Sequence, residues 1–292
     1  YFNENFETVA QAIRDMHPDL VLNMGDMTLD GADSRDDLLV ARQYHEQLGV
    51  PWVAIPGNHD VGDNQETGKP QVITAERRAR WREIMGPDYW LRDVPGWRLL
   101  GIDCLLLGSD LREAPQQEAF ISEAAATLGV RQLALFLHKP LYYDTLDDAE
   151  ISTHGVNPAP RKQLLRALGG VVPRLVCSGH RHEYRERDAH GMHQIWAPAG
   201  SFTLSDWFMP TRGGVHVVGF VALALEADGT FTSELVRPPR IVDHDHEVGT
   251  RGRRVRVDFF IHVIHVRRGK GILVRGLAID AVKGVAGRGR IQ

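Results

Sequence analysis

Long apolar runs are missing from this chain of 292 residues. No stretch approaches the roughly 18 consecutive apolar residues that a membrane-spanning helix needs, so no such span is expected. Cysteine is nearly absent. Cys104 and Cys177 are the two present, too few for a disulfide framework and better read as small buried residues. That scarcity fits a reducing, cytoplasmic setting, although a chain beginning at Tyr1 rather than Met is also compatible with a signal segment upstream. Aromatic residues are modest at 8%, while hydrophobic residues as a whole reach 43%, the balance of an ordinary globular protein.

The net charge of −4 conceals a split. From Glu247 onward there are 11 Lys/Arg and 3 Asp/Glu, or +8, which leaves 23 against 35, or −12, for the first 246 residues. An acidic body argues against broad nucleic-acid binding, and the basic tail reads as a solvated appendage. The length suits one large domain with such an appendage, here residues 1–240 followed by 241–292.

Apolar residues at helical spacing, such as Phe6, Val9, Ala10 and Ile13, alternate with short apolar runs through about residue 178. The runs Leu20–Met24, Trp52–Ile55, Arg98–Ile102, Gln132–Leu137 and Arg174–Cys177 read as strands of a mostly parallel sheet with helical crossovers. After Met192 the pattern changes to strands without helices, with Asp228-Gly229 as a hairpin turn.

Four of these runs end in a polar side chain suited to metal binding. Asp26 follows Val21-Leu22-Asn23-Met24-Gly25, and Asn58 follows Val53-Ala54-Ile55-Pro56-Gly57; His138 follows Leu135-Phe136-Leu137, and His180 follows Leu175-Val176-Cys177-Ser178-Gly179. Ligands of open α/β sheets gather beyond the carboxyl ends of the strands, so one sheet edge receives all four. A carboxylate can bridge two cations, an amide oxygen is a neutral hard ligand, and imidazoles favour Zn, Mn or Fe over Mg or Ca. Two such cations activate a bridging hydroxide for in-line attack at phosphorus. His59 is better placed as an acid or hydrogen-bond donor to the phosphoryl or leaving group, oriented by Asp60.

With Gly25-Asp26, Gly57-Asn58-His59-Asp60, His138 and Gly179-His180-Arg181-His182, the chain resembles the calcineurin-like metallophosphoesterases, in particular their bacterial cyclic-nucleotide and glycerophosphodiester phosphodiesterase branch. The resemblance covers residues 25–182. It implies an α/β/β/α four-layer sandwich, a dinuclear centre and hydrolysis of small phosphodiesters or phosphomonoesters. In that scheme Asp26 bridges the metals, Asn58, His138 and His180 complete one site, His182 belongs to the other, and His59 and Asp60 serve catalysis. His154, Ser201 and Phe202 are the candidate substrate contacts. Specificity is expected from the loops at 61–97 and 139–160.

One element departs from the family. The D-x-H that ends the family's first strand has no counterpart at an equivalent place. Asp15-Met16-His17 closes the first helix, at the amino end of the strand leading to Asp26, roughly 20 Å from the site at about 3.3 Å per residue. The chain therefore reads as lacking its first strand, an interior member of the sheet. The rival expectation is a phosphate- or metal-binding fragment of impaired activity.

Overall fold

The computed structural model describes residues 2–244 and 263–268. Helix α1 (Phe2–Met16) leads to strand β1 (Leu20–Asn23), α2 (Arg35–Glu46), β2 (Trp52–Ala54), the single-turn α3 (Asn58–Val61) and α4 (Ala75–Ile84). A hairpin of β3 (Trp90–Val94) and β4 (Trp97–Gly101) follows, then α5 (Ala114–Ala126), β5 (Gln132–Phe136), α6 (Pro158–Ala167) and β6 (Leu175–Ser178). The remaining strands are β7 (Glu183–Ala189), β8 (Met192–Trp196), β9 (Val215–His216), β10 (Phe220–Leu225), β11 (Phe231–Val236) and β12 (Val263–Arg268).

The described strands form two sheets. One has the order β11-β10-β12-β1-β2 and the other β3-β4-β5-β6-β8-β7-β9. Strands β4, β5, β6 and β8 run parallel, as do β1 and β2, so their carboxyl ends open on shared edges. Strand periodicity explains the layering. Leu20, Leu22 and Met24 face a core with Leu99, Phe136, Cys177, Val221 and Leu223, packed between the sheets. The alternate residues Val21, Ala54, Leu100, Leu135 and Val176 join the apolar faces of α1, α2, α5 and α6 in a second core. Helices thus cover both outer faces of a sheet-on-sheet sandwich, the α/β/β/α arrangement expected.

Two strands escape the apolar pattern. In β3 the residues are mostly half-buried, and β7 reads Glu-Tyr-Arg-Glu-Arg-Asp-Ala. Both are held by antiparallel pairing to an apolar partner, β3 to β4 and β7 to β8. Their turns are legible in retrospect: Gly96 (φ +77°) closes the first, His190 (φ +53°) and Gly191 (φ +77°) the second.

The interior place expected to be missing is filled. Strand β12 lies between β10 and β1, parallel to β10 and antiparallel to β1, with Leu20 opposite Val266 and Asn23 opposite Val263. The appendage expected beyond residue 240 therefore contributes one strand to the sheet, and most of its other residues lie outside the described ones. Asp15 and Met16 close α1 and His17 turns the chain (φ +50°) toward β1, so this triplet sits at the strand's amino end as the sequence indicates.

Candidate metal centre

Gly25 and Gly57 let two strand ends cross almost in contact. A Cβ on Gly25 would lie 2.6 Å from the Gly57 nitrogen and 2.8 Å from His138 Nδ1, and one on Gly57 would lie 2.1 Å from Asp26 Oδ1. Glycine is required at both places by the space alone. The backbone is also unusual at the candidate ligands: Asp26, His180 and His182 have φ of +55°, +68° and +53°. Left-handed conformations cost a non-glycine residue on the order of 1 kcal/mol, and such strain collects where function fixes a side chain.

The four strand-end side chains converge. His138 Nε2 lies 3.2 Å from Asp26 Oδ2, 3.2 Å from Asn58 Oδ1 and 3.0 Å from His180 Nδ1, and His180 Nδ1 lies 3.8 Å from Asp26 Oδ2. Among the described residues, Asp26, His138 and His180 form the group of acidic and histidine ligand atoms that lie within 4.8 Å of one another. His138 Nδ1 is 2.8 Å from the Met24 carbonyl, which can only accept. The Nδ1 proton is therefore committed to Met24, and in the neutral ring Nε2 is left to turn a lone pair toward a bound cation. Ligands about 2.1 Å from a tetrahedral zinc are about 3.4 Å apart, so the spacing and the oxygen–nitrogen donor set both fit a divalent transition metal.

Electrostatics agree with that fit. Burial alone would raise the Asp26 carboxyl, but the fields of His138 and His59, with the polar contacts of His138 and His180, hold it well below the usual carboxylate range. Burial lowers His138, and Asp26 outweighs burial to leave it raised. His180 is held well below its ordinary value, first by burial and then by the charges of His138 and Lys139 against the opposing pull of Asp26. One carboxylate thus dominates a buried pocket of imidazoles.

The second half of the expected set is arranged differently. His182 is buried, with Nδ1 3.3 Å from the Phe202 carbonyl and its ring 4.9 Å from the Phe202 ring. It stands outside the tight group formed by Asp26, His138 and His180. Phe202 and Ser201 are fully buried, and the Ser201 carbonyl accepts from Asn5 Nδ2 at 2.8 Å. His154 comes from the 139–160 loop to place its ring 5.9 Å from that of His180. Burial, then the nearby charges of Arg181, Lys139 and Lys69, bring His154 down to about 4. The stem of that loop is pinned by Arg185 and Arg187, both donating to the Tyr143 carbonyl at 3.1 Å.

The expected orientation of His59 by Asp60 is corrected. His59 Nδ1 lies 2.9 Å from the Leu29 carbonyl, while its backbone N–H donates to Asp26 Oδ1 at 2.9 Å. Asp60 stands in the first turn of α3 and reaches back to the Gly57 N–H at 2.9 Å, and across to the N–H groups of Met27 and Thr28, both at 3.1 Å, and the Thr28 hydroxyl at 2.9 Å. Three amides aimed at one carboxylate outcompete a half-exposed imidazole. Asp60 therefore ties the Asp26 loop to the Asn58 loop.

Lys139 and Asp63 form a buried pair beside the candidate site that sequence reasoning missed. Lys139 is fully buried beside His138, paired with Asp63, and donates to Asn64 Oδ1 at 3.3 Å. The signal was faint: a lysine directly after a ligand at a strand end. No helix among the described residues is long and apolar enough to cross a membrane.

The site's neighbours among known proteins agree with its chemistry. Residues 2–184 match the model of the calcineurin-like phosphoesterase family, and the chain belongs to that family. It is 25% identical over 244 residues to a 3',5'-cyclic-nucleotide phosphodiesterase of Nostoc sp., covering 81% of this chain and 84% of the relative. It is 25% identical over 228 residues to a probable cyclic nucleotide phosphodiesterase of Synechococcus sp., covering 76% and 78%. A purple acid phosphatase from yellow lupin (Lupinus luteus) has the same fold, with a TM-score of 0.54 at 14% identity over 90% of this chain and 49% of that one. The protein is a metal-binding hydrolase acting on phosphoester bonds.

Proposed function

We propose that the protein hydrolyses small phosphodiesters, cyclic nucleotides or glycerophosphodiester-like compounds, with Asp26, Asn58, His138 and His180 holding a divalent cation and Asp26 and His182 contributing to a second. The observation that carries this reading is the convergence of an aspartate oxygen, an amide oxygen and two imidazole nitrogens at 3.0–3.8 Å. Mn, Fe or Zn suits these donors. Bound cations of this kind supply positive charge at the phosphoryl oxygens and acidify water. The chain's own residues do the rest. Asp60 fixes the loop that carries Asp26. His59, held through Nδ1 by Leu29, is assigned to the leaving group through Nε2. His154 and Phe202 are assigned to the substrate side, and Ser201 to supporting Phe202. The names of the two cyanobacterial relatives favour diesters over monoesters.

The test is reconstitution. Chelated protein should be inactive and regain hydrolysis of bis-p-nitrophenyl phosphate, and of a 3',5'-cyclic nucleotide, on addition of Mn²⁺, Fe²⁺ or Zn²⁺. Protein that holds two equivalents of metal and hydrolyses neither diester nor monoester would sink the proposal. A second reading, a one-metal chain of feeble activity, is favoured by His182 lying against Phe202 and outside the tight ligand group. Metal analysis separates the two: one equivalent with residual turnover supports the second, two with full turnover the first.

A further inference from the structure

Strand β1 ends on a polar residue where none is needed for packing. Leu20, Val21 and Leu22 are buried apolar residues, and Asn23 is equally buried at 1% exposure. A buried amide must find partners for both its ends. Asn23 Oδ1 accepts from the Gly25 N–H at 2.9 Å, and Asn23 Nδ2 lies 2.9 Å from His45 Nε2 on α2. His45 is fully buried, its ring 5.1 Å from that of Trp52.

The direction of this chain of contacts is determined by its far end. His45 Nδ1 is 2.8 Å from the Ala41 carbonyl, which can only accept. The imidazole proton is therefore on Nδ1, and Nε2 is an acceptor. Only the NH₂ of Asn23 can satisfy it, so the amide cannot flip, and Oδ1 is committed to Gly25. Burial, partly offset by the bond to Ala41, keeps His45 down at about 4 and hence neutral near pH 7. Gly25 in turn has a φ of +91° and is wedged against Gly57 and His138, with Asp26 next in the chain at +55°.

We infer that His45 and Asn23 are positioning residues for the metal centre, relaying the fixed carbonyl of Ala41 through the imidazole and the amide to the Gly25 N–H and so setting the turn that presents Asp26. The inference rests on the reading of Asp26 as a metal ligand. It assigns function to α2, an element that carries no ligand. Outer partners of this kind are worth roughly 10–100-fold in metal affinity. A merely satisfied buried pair would move stability and leave affinity alone.

The experiment is Mn²⁺ titration of the metal-free full chain by calorimetry, alongside thermal unfolding. Asn23→Ala should bind Mn²⁺ about tenfold or more weakly than the parent, and His45→Phe should also weaken it. Asn23→Asp, which keeps an acceptor for the Gly25 N–H but offers His45 Nε2 no donor, should recover only part of the loss. Leu38→Ala, in the same helix but outside the relay, should lower the unfolding midpoint and leave Mn²⁺ affinity within about twofold. Nitrogen shifts of His45 should report the Nδ1–H tautomer in the parent. Unchanged affinity in Asn23→Ala, or an equal loss in Leu38→Ala, overturns the relay. Should Asn23→Ala fail to fold, His45→Phe is judged by the same criterion. A parent chain that binds no Mn²⁺ overturns the metal reading and the relay together, an outcome distinct from a parent that binds and variants that match it.

Discussion

Lys139 and Asp63 pair in the interior, at 0% and 5% exposure, with Lys139 next in the chain to the candidate ligand His138. Removing one partner of such a pair leaves a buried charge that nothing compensates, which costs about 3–5 kcal/mol. Lys139→Met is expected to lose that much in urea unfolding of the metal-free protein. The double variant Lys139→Met/Asp63→Asn should recover a large share of it, because no charge then remains buried. Additive losses in the two single variants and the double would contradict the pairing.

His59 touches the centre through two separate groups. Its backbone N–H serves Asp26, whereas its ring bonds to Leu29. Alanine keeps the first and deletes the second. His59→Ala is therefore expected to retain metal at the parent's stoichiometry while kcat falls by roughly 10²–10⁴-fold, the range for a lost general acid. Parallel loss of metal and turnover would assign the ring to binding.

Asp60→Ala should behave in the opposite way. The N–H groups of Gly57, Met27 and Thr28 all lose their acceptor, at roughly 1–3 kcal/mol for each buried donor left unpaired. Lower unfolding free energy and weaker metal retention are expected together. A variant with parental stability and a selective drop in kcat would restore Asp60 to the catalytic role expected from sequence.

His45 gives the fold an acid sensitivity. Its folded value of about 4 lies below the roughly 6.5 of an exposed histidine. Between these values the unfolded chain holds a proton that the folded chain does not. Its contribution is complete above about pH 6.5 and is lost as pH falls toward 4. Between pH 7 and pH 5 the expected loss is about 2 kcal/mol. Urea unfolding of His45→Phe should show a shallower decline over that interval, and identical slopes would remove His45 as the cause.

What the sequence made legible follows from what is local. Each of Asp26, Asn58, His138 and His180 closes its own apolar run, so the strand, its end and its candidate ligand are read from a handful of neighbours. The layers are legible for the same reason, since a period of two assigns Leu22 to one core and Val21 to the other. Partners distant in sequence are not. Nothing near Lys139 signals Asp63, and nothing near Asn23 signals His45. The contact expected between Asp60 and His59 rested on adjacency alone, whereas the first turn of a helix directs its carboxylate toward backbone amides. Strands β3 and β7 were hidden by charge, their pairing being dictated by the apolar strand alongside.

Strand β12 sets the order in which the molecule can be assembled. Leu20 finds its partner in Val266, nearly the whole length of the chain away, and contacts of such separation form late and slowly. During synthesis the flank of β1 that β12 covers lacks this cover until Val266 has emerged. An unpaired edge of this kind is a template for other chains. The stretch that delivers Asp26 thus waits for a segment made much later, and a chaperone that shields it during synthesis would protect the candidate centre.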